Sequence, residues 1–170
     1  AIERETGLRA SIKWPNDVLL GGLKTSGILM EMGAEATRVR HLILGIGVNL
    51  NVARESFPEE FRALATSLAS HRGARVDRVD FAARLYDNLE AVLDRHADGG
   101  FEALRPRFEA RFRMRGRRIR VLDAVAGGEI AIEGTAIGID ADGALLVEHD
   151  DGSQKRVVAG DVTIAKDPQR

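Results

Sequence analysis

Apolar residues in the first fifty positions fall into short runs that favour β-strands. A brief helix-like stretch, AIERET (1–6), precedes them, and Gly7 is typical of its C-terminal cap. The glycine pair at 21–22 separates two runs and is a strong signal for a hairpin turn. The pattern predicts a largely antiparallel sheet, with a last strand that is mostly buried because it is apolar throughout. The predicted strands are LRASIKW (8–14), DVLL (17–20), TSGILMEM (25–32) and HLILGIGVNLNV (41–52).

The middle of the chain changes to helical spacing. We expect helices over 58–71, 77–96 and 101–113, with Pro106 breaking or shifting the last of them. Asp77 is placed to begin the second helix, and Gly99-Gly100 to close it. The buried stripe of this helix is predicted to contain Phe81, Leu85, Leu89, Val92 and Leu93.

From Gly116 onward the pattern changes again, to short strands divided by turns. Five runs lie in about fifty residues, and the separators include Asp142-Gly143, Asp151-Gly152, Gly160-Asp161 and Gly127-Gly128. This spacing is typical of a small antiparallel barrel. The sequence therefore predicts an α+β protein with two domains, at 1–113 and 114–170.

Composition narrows the classes of protein that remain. The 170 residues have a formal net charge of −1, 44% hydrophobic and 30% charged residues, which is typical of a soluble globular protein. The absence of cysteine excludes disulfides and thiolate metal sites. The longest apolar run, at 42–48, is too short to span a bilayer, and we expect a cytoplasmic protein with no membrane partner.

Eight arginines crowd the region between the predicted domains. A nucleic-acid-binding patch is one interpretation. The alternative, which we favour, is a solvated helix and linker balanced by an acidic barrel with no Lys or Arg between Leu122 and Ser153. Phe108 and Phe112, four residues apart, indicate contact with the core rather than aromatic stacking on bases. The arginines are Arg105, Arg107, Arg111, Arg113, Arg115, Arg117, Arg118 and Arg120.

The candidate chemistry lies in the stretch KWPNDVLLGGLKTSGILMEM, residues 13–32. Lysine, asparagine and aspartate are poor strand formers, yet four of them lie here among apolar runs. A hairpin over 18–30 allows Asp17 and Lys24 to face one another, and an exposed ion pair worth little is the simplest interpretation. Lysines facing a cleft suit phosphate, and a neighbouring aspartate suits Mg²⁺. The four polar residues are Lys13, Asn16, Asp17 and Lys24.

Glycines in the apolar strands are the second anomaly. Gly27 weakens a strand unless a bulge, another backbone or a ligand comes close. In GIGVN (45–49) two more glycines allow a ligand to lie flat on the backbone, and Asn49 offers both a donor and an acceptor. Together these features predict a pocket with lysines on a phosphate side and an amide at the far end.

These residues resemble the biotin protein ligases. The resemblance is carried by KWPNDVLL, by Lys24 in LKTSGILMEM and by ILGIGVNLN, and it extends over the whole chain. It implies a class II synthetase-like catalytic sheet, present in part, and a C-terminal SH3-like barrel. It also implies that biotin reacts with ATP to give biotinyl-5′-adenylate and pyrophosphate, and that biotin then passes to one lysine of a biotin carboxyl carrier protein.

The resemblance also implies roles for individual residues. Lys24 would be the catalytic residue, contacting the biotin carboxylate and the α-phosphate. Gly27 and Ile28 would line the biotin pocket. The ATP and adenylate side would consist of Lys13, Asn16, Asp17 and Asn49, with Asp17 also the candidate ligand of Mg²⁺.

The chain departs from the family pattern in one respect. An upstream Gly/Arg-rich loop that folds over biotin is not present, and the first residues suggest a helix that has been cut. We therefore expect weak catalysis from these 170 residues alone. A homodimer is possible, and a DNA-binding domain, where the family has one, would lie upstream. The alternatives are a lipoate–protein ligase and a non-catalytic fragment that acts as an interaction module.

Overall fold

The computed structural model describes residues 1–35, 38–123 and 129–165 and confirms an α+β protein. Two antiparallel sheets and four α-helices account for most of the described chain. The described chain also contains short 3₁₀ helices at Arg54–Ser56, Glu59–Phe61 and Phe101–Ala103. The elements are α1 (Ile2–Thr6), β1 (Ala10–Lys13), β2 (Asp17–Leu20), β3 (Leu23–Glu35), β4 (Arg38–Val48), α2 (Leu68–Arg72), α3 (Arg78–Gly99), α4 (Arg105–Glu109), β5 (Arg118–Asp123), β6 (Glu129–Ile139), β7 (Leu145–Glu148), β8 (Gln154–Val157) and β9 (Asp161–Ile164).

The first sheet has the strand order β1-β2-β3-β4. Gly21 and Gly22 have φ angles of 59° and 86°, so the predicted two-residue turn does join β2 to β3. Few residues other than glycine adopt two such angles in succession without strain, which explains why this pair ends β2. The pairs β2–β3 and β3–β4 are both antiparallel, as the sequence predicts.

The predicted burial of the fourth strand is wrong. Leu42 and Ile43 in β4 are 58% and 54% exposed, and Met30 and Met32 on the paired strand β3 are exposed as well. A continuous apolar run shows that a strand is suited to burial. It does not show whether another helix or strand packs against it. The strand also ends at Val48, four residues before the predicted end.

The helix predicted over 58–71 is also wrong. The structure has a 3₁₀ turn at Glu59–Phe61 and begins α2 only at Leu68, after Ser67, whose Oγ accepts a hydrogen bond from the backbone of Ser70. Between them the carbonyl of Leu64 and the N–H of Thr66 form hydrogen bonds with Lys24 instead of continuing a helix. Tertiary pairing has overridden the local helical pattern.

The other two helical predictions hold with shifted ends. Asp77 caps α3, because its Oδ1 accepts from the backbone N–H groups of Val79 and Asp80. Phe81 on this helix is buried, as predicted, whereas Leu93 is 56% exposed. Pro106 lies in the first turn of α4, so it shifts the start of that helix instead of breaking it.

The second sheet contains the five strands predicted after Gly116, in the order β8-β7-β6-β5-β9. Its buried side chains include Ile119, Val121, Leu145, Val147 and Val162. Closure of these strands into an SH3-like barrel remains a prediction. The separator Gly127-Gly128 lies outside the described residues. No helix of ten or more residues follows position 120 in the described ranges, in agreement with the all-β pattern.

The described chain packs as two compact units. The first contains Ala1–Ser11 and Asn16–Asn88, and the second contains Ile12–Pro15 and Leu89–Arg170. Leu68, Val76 and Phe81 are the buried centre of the first unit. The predicted division at 113/114 remains a prediction. No described helix is long and apolar enough to cross a membrane.

Arginines at the start of the second sheet pair with acidic residues of that sheet. Arg118 donates to both carboxylate oxygens of Asp150, at 2.6 and 3.0 Å, and to Glu133 at 3.2 Å. Arg120 also donates to Glu133. These bonds favour the ionised carboxylates and hold the pKa of Asp150 and of Glu133 below the ordinary values. The pairing agrees with arginines balanced by an acidic barrel.

We expect this pairing to make the second unit less stable in acid. The pKa values of Asp150 and Glu133 are lower in the folded protein than in the unfolded chain. Their contribution to the free energy of unfolding is therefore fully present above the unfolded-state pKa and is lost as the pH falls through the folded-state pKa. Thermal unfolding of wild type and Arg118→Gln from pH 7 to pH 3 should show a difference that shrinks steadily with acidity. Arg117→Gln is the matched control, since Arg117 makes no ion pair with a described residue. A difference that is independent of pH would contradict this account.

Candidate functional site

The β2–β3 hairpin brings Asp17 and Lys24 together, as the spacing predicts. Their atoms Oδ1 and Nζ are 2.5 Å apart. The aspartate side chain is 13% exposed and the lysine side chain 50%, so the carboxylate is largely shielded while the ammonium group faces solvent. A shielded carboxylate thus holds one side of an accessible cation.

Gly27 lies directly against this ion pair. It is opposite Asp17 in the strand register. A Cβ atom at this position would lie 3.3 Å from Cε of Lys24, 3.4 Å from its Nζ and 3.7 Å from Oδ1 of Asp17. The first distance is slightly shorter than an ordinary contact, so a side chain at this position would require the end of the lysine side chain to shift by a few tenths of an ångström. The group that approaches Gly27 is the side chain of Lys24, which is none of the bulge, backbone or ligand that the sequence predicts, and a ligand contact at Gly27 remains a prediction.

A cleft of about 550 Å³ opens beside the ion pair. In the antiparallel register Gly27 is opposite Gly47, and Leu29 is opposite Gly45. Opposite residues share one face of a sheet, so three glycines on that face leave backbone exposed between the side chains of Lys24 and Leu29. Such a floor lets a flat or extended ligand reach the backbone. The cleft is lined by Asn16, Lys24, Gly27, Ile28, Leu29, Gly45, Ile46 and Gly47.

Asn16 forms two hydrogen bonds with Ile28 of β3, one as the donor and one as the acceptor. Its Nδ2 donates to the carbonyl of Ile28 at 2.8 Å, and the backbone N–H of Ile28 donates to the carbonyl of Asn16 at 3.0 Å. These bonds hold the residue before β2 against the strand that contains Gly27. Asn16 and Ile28, both predicted as ligand contacts, therefore lie together in the cleft wall.

The two remaining predicted residues are placed differently. Asn49 follows β4, and its Nδ2 donates to the carbonyl of Thr66 at 3.0 Å. Its contact with adenine, implied by the family resemblance, remains a prediction. Lys13 ends β1 and belongs to the second unit, whereas the other site residues belong to the first. Its phosphate contact also remains a prediction.

The sequence did not predict one segment beside Lys24. We call Leu64–Thr66 the strap, because it runs parallel to the chain at Lys24 and pairs with it. It lies inside the region wrongly predicted as helix. The signal that could have found it is Ser67, a good N-cap residue immediately before Leu68, which would have placed the start of the helix there and the strap before it.

The arrangement suits the binding of an anion. The ammonium group of Lys24 is accessible over a surface that presents backbone rather than side chains. Asp17 supplies one carboxylate. Among the described residues no three His, Cys, Asp or Glu side chains cluster as a metal site would require. A cation here would depend on oxygen atoms from a ligand, which is how Mg²⁺ is often held with nucleotide phosphates.

Family models match a segment in each part of the chain. A model of the biotin/lipoate A/B protein ligase family matches residues 1–49. A model of the biotin protein ligase C-terminal domain matches residues 116–164. The first match includes β2, β3 and β4, and so contains the cleft.

Curated relatives agree with this placement. The bifunctional ligase/repressor BirA of Bacillus subtilis is 36% identical over 165 residues, which cover 96% of this chain and 49% of that protein. The biotin–[acetyl-CoA-carboxylase] ligase of Mycobacterium tuberculosis is 38% identical over 163 residues, covering 93% and 53%. The chain thus spans about half the length of the curated relatives that it matches.

A solved structure shares the fold. Biotin protein ligase from Aquifex aeolicus, in complex with biotin and ATP, superposes with a TM-score of 0.81 at 27% identity, covering 96% of this chain and 66% of that one. The fold and the cleft therefore define a protein of the biotin/lipoate ligase class. The C-terminal domain and the relatives narrow the class, and the chain belongs to the biotin protein ligase family.

Proposed function

We propose that this chain provides the cleft in which biotin reacts with ATP, within an enzyme that attaches biotin to a lysine of a biotin carboxyl carrier protein. The observation that carries the proposal is the ion pair of Lys24 and Asp17 above Gly27, at one end of a glycine-floored cleft. The relatives named as biotin ligases, and the similar structure that binds biotin and ATP, support it.

In the proposed reaction a carboxylate oxygen of biotin attacks the α-phosphorus of ATP. The bond from that phosphorus to the bridging oxygen breaks, and pyrophosphate leaves with the electron pair. The lysine of the carrier then attacks the carbonyl of biotinyl-5′-adenylate, loses a proton and displaces AMP. No side chain of this chain has to act as nucleophile, because the two substrates react with each other.

Lys24 would act electrostatically. Its ammonium group would lie where the carboxylate and the α-phosphate meet, and would stabilise negative charge as it develops on the phosphoryl oxygens. Asp17 fixes one side of that ammonium group at 2.5 Å, and Gly27 leaves it room. Ile28, half-buried in the cleft wall, would contact the apolar part of biotin.

We propose that the residues of the cleft can bind Mg²⁺ together with the nucleotide. Asp17 offers one largely shielded carboxylate, in agreement with an ion bound mainly through phosphate oxygens. When bound, Mg²⁺ would offset the charge of the phosphates. Asn16 would contact the nucleotide side of the cleft, and the phosphate contact of Lys13 remains a prediction from the family resemblance.

The same cleft could in principle take lipoate, since one matching family model includes lipoate ligases. The C-terminal domain match and the biotin-ligase relatives favour biotin. We expect the full-length protein to release pyrophosphate from ATP when biotin is added and to remain near background with lipoate. Pyrophosphate release with both acids under identical conditions is the measurement. A lipoyl product without a biotinyl product would contradict the proposal, and so would an absence of both.

The proposed partner is a carrier domain that presents a single acceptor lysine. A homodimer and a cytoplasmic location are further proposals from the family resemblance. Paired arginines in the second unit give no support to nucleic acid as a partner, because Arg118 and Arg120 are engaged by Asp150 and Glu133.

A further inference from the structure

The backbone of Lys24 is held on both sides. On one side it pairs with Leu19 of β2. On the other side its N–H donates to the carbonyl of Leu64 at 2.8 Å, and its carbonyl accepts from the N–H of Thr66 at 2.9 Å. The strap therefore fixes the point from which the lysine side chain reaches into the cleft.

The strap is held in turn by Asn49. The side-chain Nδ2 of Asn49 donates to the carbonyl of Thr66 at 3.0 Å. The backbone N–H of Asn49 donates to the carbonyl of Thr25 at 2.8 Å, and its carbonyl accepts from the N–H of Leu68 at 2.9 Å. These bonds close a ring that joins Lys24 and Thr25, the strap, and Asn49. Asn49 supplies a side-chain bond to a ring that is otherwise made by backbone groups.

Burial concentrates at the same place. The buried polar side chains among the described residues are Thr25, Ser26, Thr66 and Ser67, at 0 to 7% exposure. Thr25 and Ser26 are the two residues that follow Lys24, Thr66 is in the strap, and Ser67 follows the strap. Hydrogen bonds in such a dry environment break less readily than those in water. The backbone of Lys24 is thus rigidly placed, while its ammonium group is free to meet a ligand.

We infer that Asn49 is a positioning residue for Lys24, acting through the strap. The inference rests on the proposed function, and it differs from the adenine contact that the family resemblance implies. The side chain of lysine is a stem of four carbons with a limited length, so the point that its ammonium group reaches in the cleft depends on where its backbone lies. A displacement of about 1 Å at a reacting group lowers rates by about 100-fold, which is the scale on which such a support acts.

Asn51 provides a matched control. It lies two residues further on and makes the same kind of bond, its Nδ2 donating to the carbonyl of Val76 at 2.9 Å and its Oδ1 accepting from the N–H of Val76 at 2.8 Å. These bonds do not involve Lys24 or the strap. Replacing Asn51 removes a comparable clamp, so it reports the general cost to stability.

The test combines amide hydrogen exchange with single-turnover kinetics on the full-length protein. Asn49→Ala should speed exchange at the N–H groups of Lys24 and Thr66 by about tenfold or more, because their partners are no longer held. It should slow pyrophosphate release about 10- to 100-fold with biotin and ATP both saturating, and leave the KM for ATP within about threefold. Asn51→Ala should change neither the exchange at Lys24 nor the saturated rate.

A second variant distinguishes the loss of this hydrogen bond from a folding defect caused by a smaller side chain. Asn49→Asp keeps the size of the side chain but cannot donate to the carbonyl of Thr66, so it should reproduce both effects. Unchanged exchange at Lys24, or a defect confined to the KM for ATP, would overturn the inference and favour an adenine contact. Absence of biotin-dependent pyrophosphate from wild type would overturn the proposed function instead, while exchange at Lys24 would still decide whether Asn49 holds its backbone.

Discussion

Replacing Lys24 with alanine is expected to slow biotinyl-adenylate formation by about 100- to 1,000-fold in the full-length protein. The ammonium group lies 2.5 Å from Asp17 and above Gly27, where the biotin carboxylate and the α-phosphate are proposed to meet. A cation positioned beside the reacting atoms interacts more strongly as negative charge develops, so its loss raises the barrier more than it weakens binding. The alanine variant also removes the ammonium group that lies beside the carboxylate of Asp17.

Lys24→Arg should be slowed less, while remaining below wild type. Arginine keeps the positive charge but is a wide, planar group where a compact ammonium fits against Gly27. Pyrophosphate release in rapid mixing, with biotin and ATP saturating, isolates this step from transfer to the carrier. If Lys24→Ala forms adenylate at the wild-type rate and fails only in transfer, Lys24 acts in the second half-reaction and the assignment is wrong.

Replacing Trp14 with alanine is expected to destabilise the second unit by about 3–5 kcal/mol. Trp14 is 4% exposed and packs among the buried side chains that include Phe112 and Met114. Its indole Nε1 donates to the carbonyl of Gly143 at 3.0 Å. The variant leaves a large cavity in this core and removes the hydrogen bond to the half-buried Gly143, and the cavity accounts for most of the cost.

Trp14→Phe separates the two contributions. It retains most of the packing and loses the hydrogen bond, which is worth about 1 kcal/mol. Denaturant unfolding followed by amide exchange in β5 and β7 reports the second unit directly. Phe61→Ala is the control, because Phe61 is 51% exposed and belongs to the first unit. A loss below about 1 kcal/mol for Trp14→Ala would show that this side chain does not anchor the second unit.

Local signals in the sequence predicted much of the fold. Gly21-Gly22 fixed the first hairpin because few residues other than glycine adopt two positive φ angles in succession. Asp77 marked the start of α3 because its carboxylate satisfies backbone donors there. Both features depend on residues close in sequence, and so a pattern reveals them.

Contacts distant in sequence were not predictable in this way. The segment 58–71 has helical spacing, yet Leu64 and Thr66 pair with Lys24, forty residues upstream. The exposure of β4 likewise depends on what packs on it, which apolar continuity does not encode. In the site, the spacing of Asp17 and Lys24 predicted the ion pair, but the approach of Lys24 to Gly27, the strap, and the lining residues Leu29 and Ile46 were missed.

The most direct test of the account is protection from amide hydrogen exchange in the full-length protein, with and without a non-hydrolysable biotinyl-adenylate analogue. The account predicts that protection increases at Lys24, Gly27, Gly45 and Gly47, the cleft floor and its cation, with little change in β7 and β8. A lipoyl-adenylate analogue at the same concentration should protect these amides less. Saturating binding of the biotinyl analogue without added protection at Lys24 and Gly27 would contradict the proposal that the adenylate lies in this cleft.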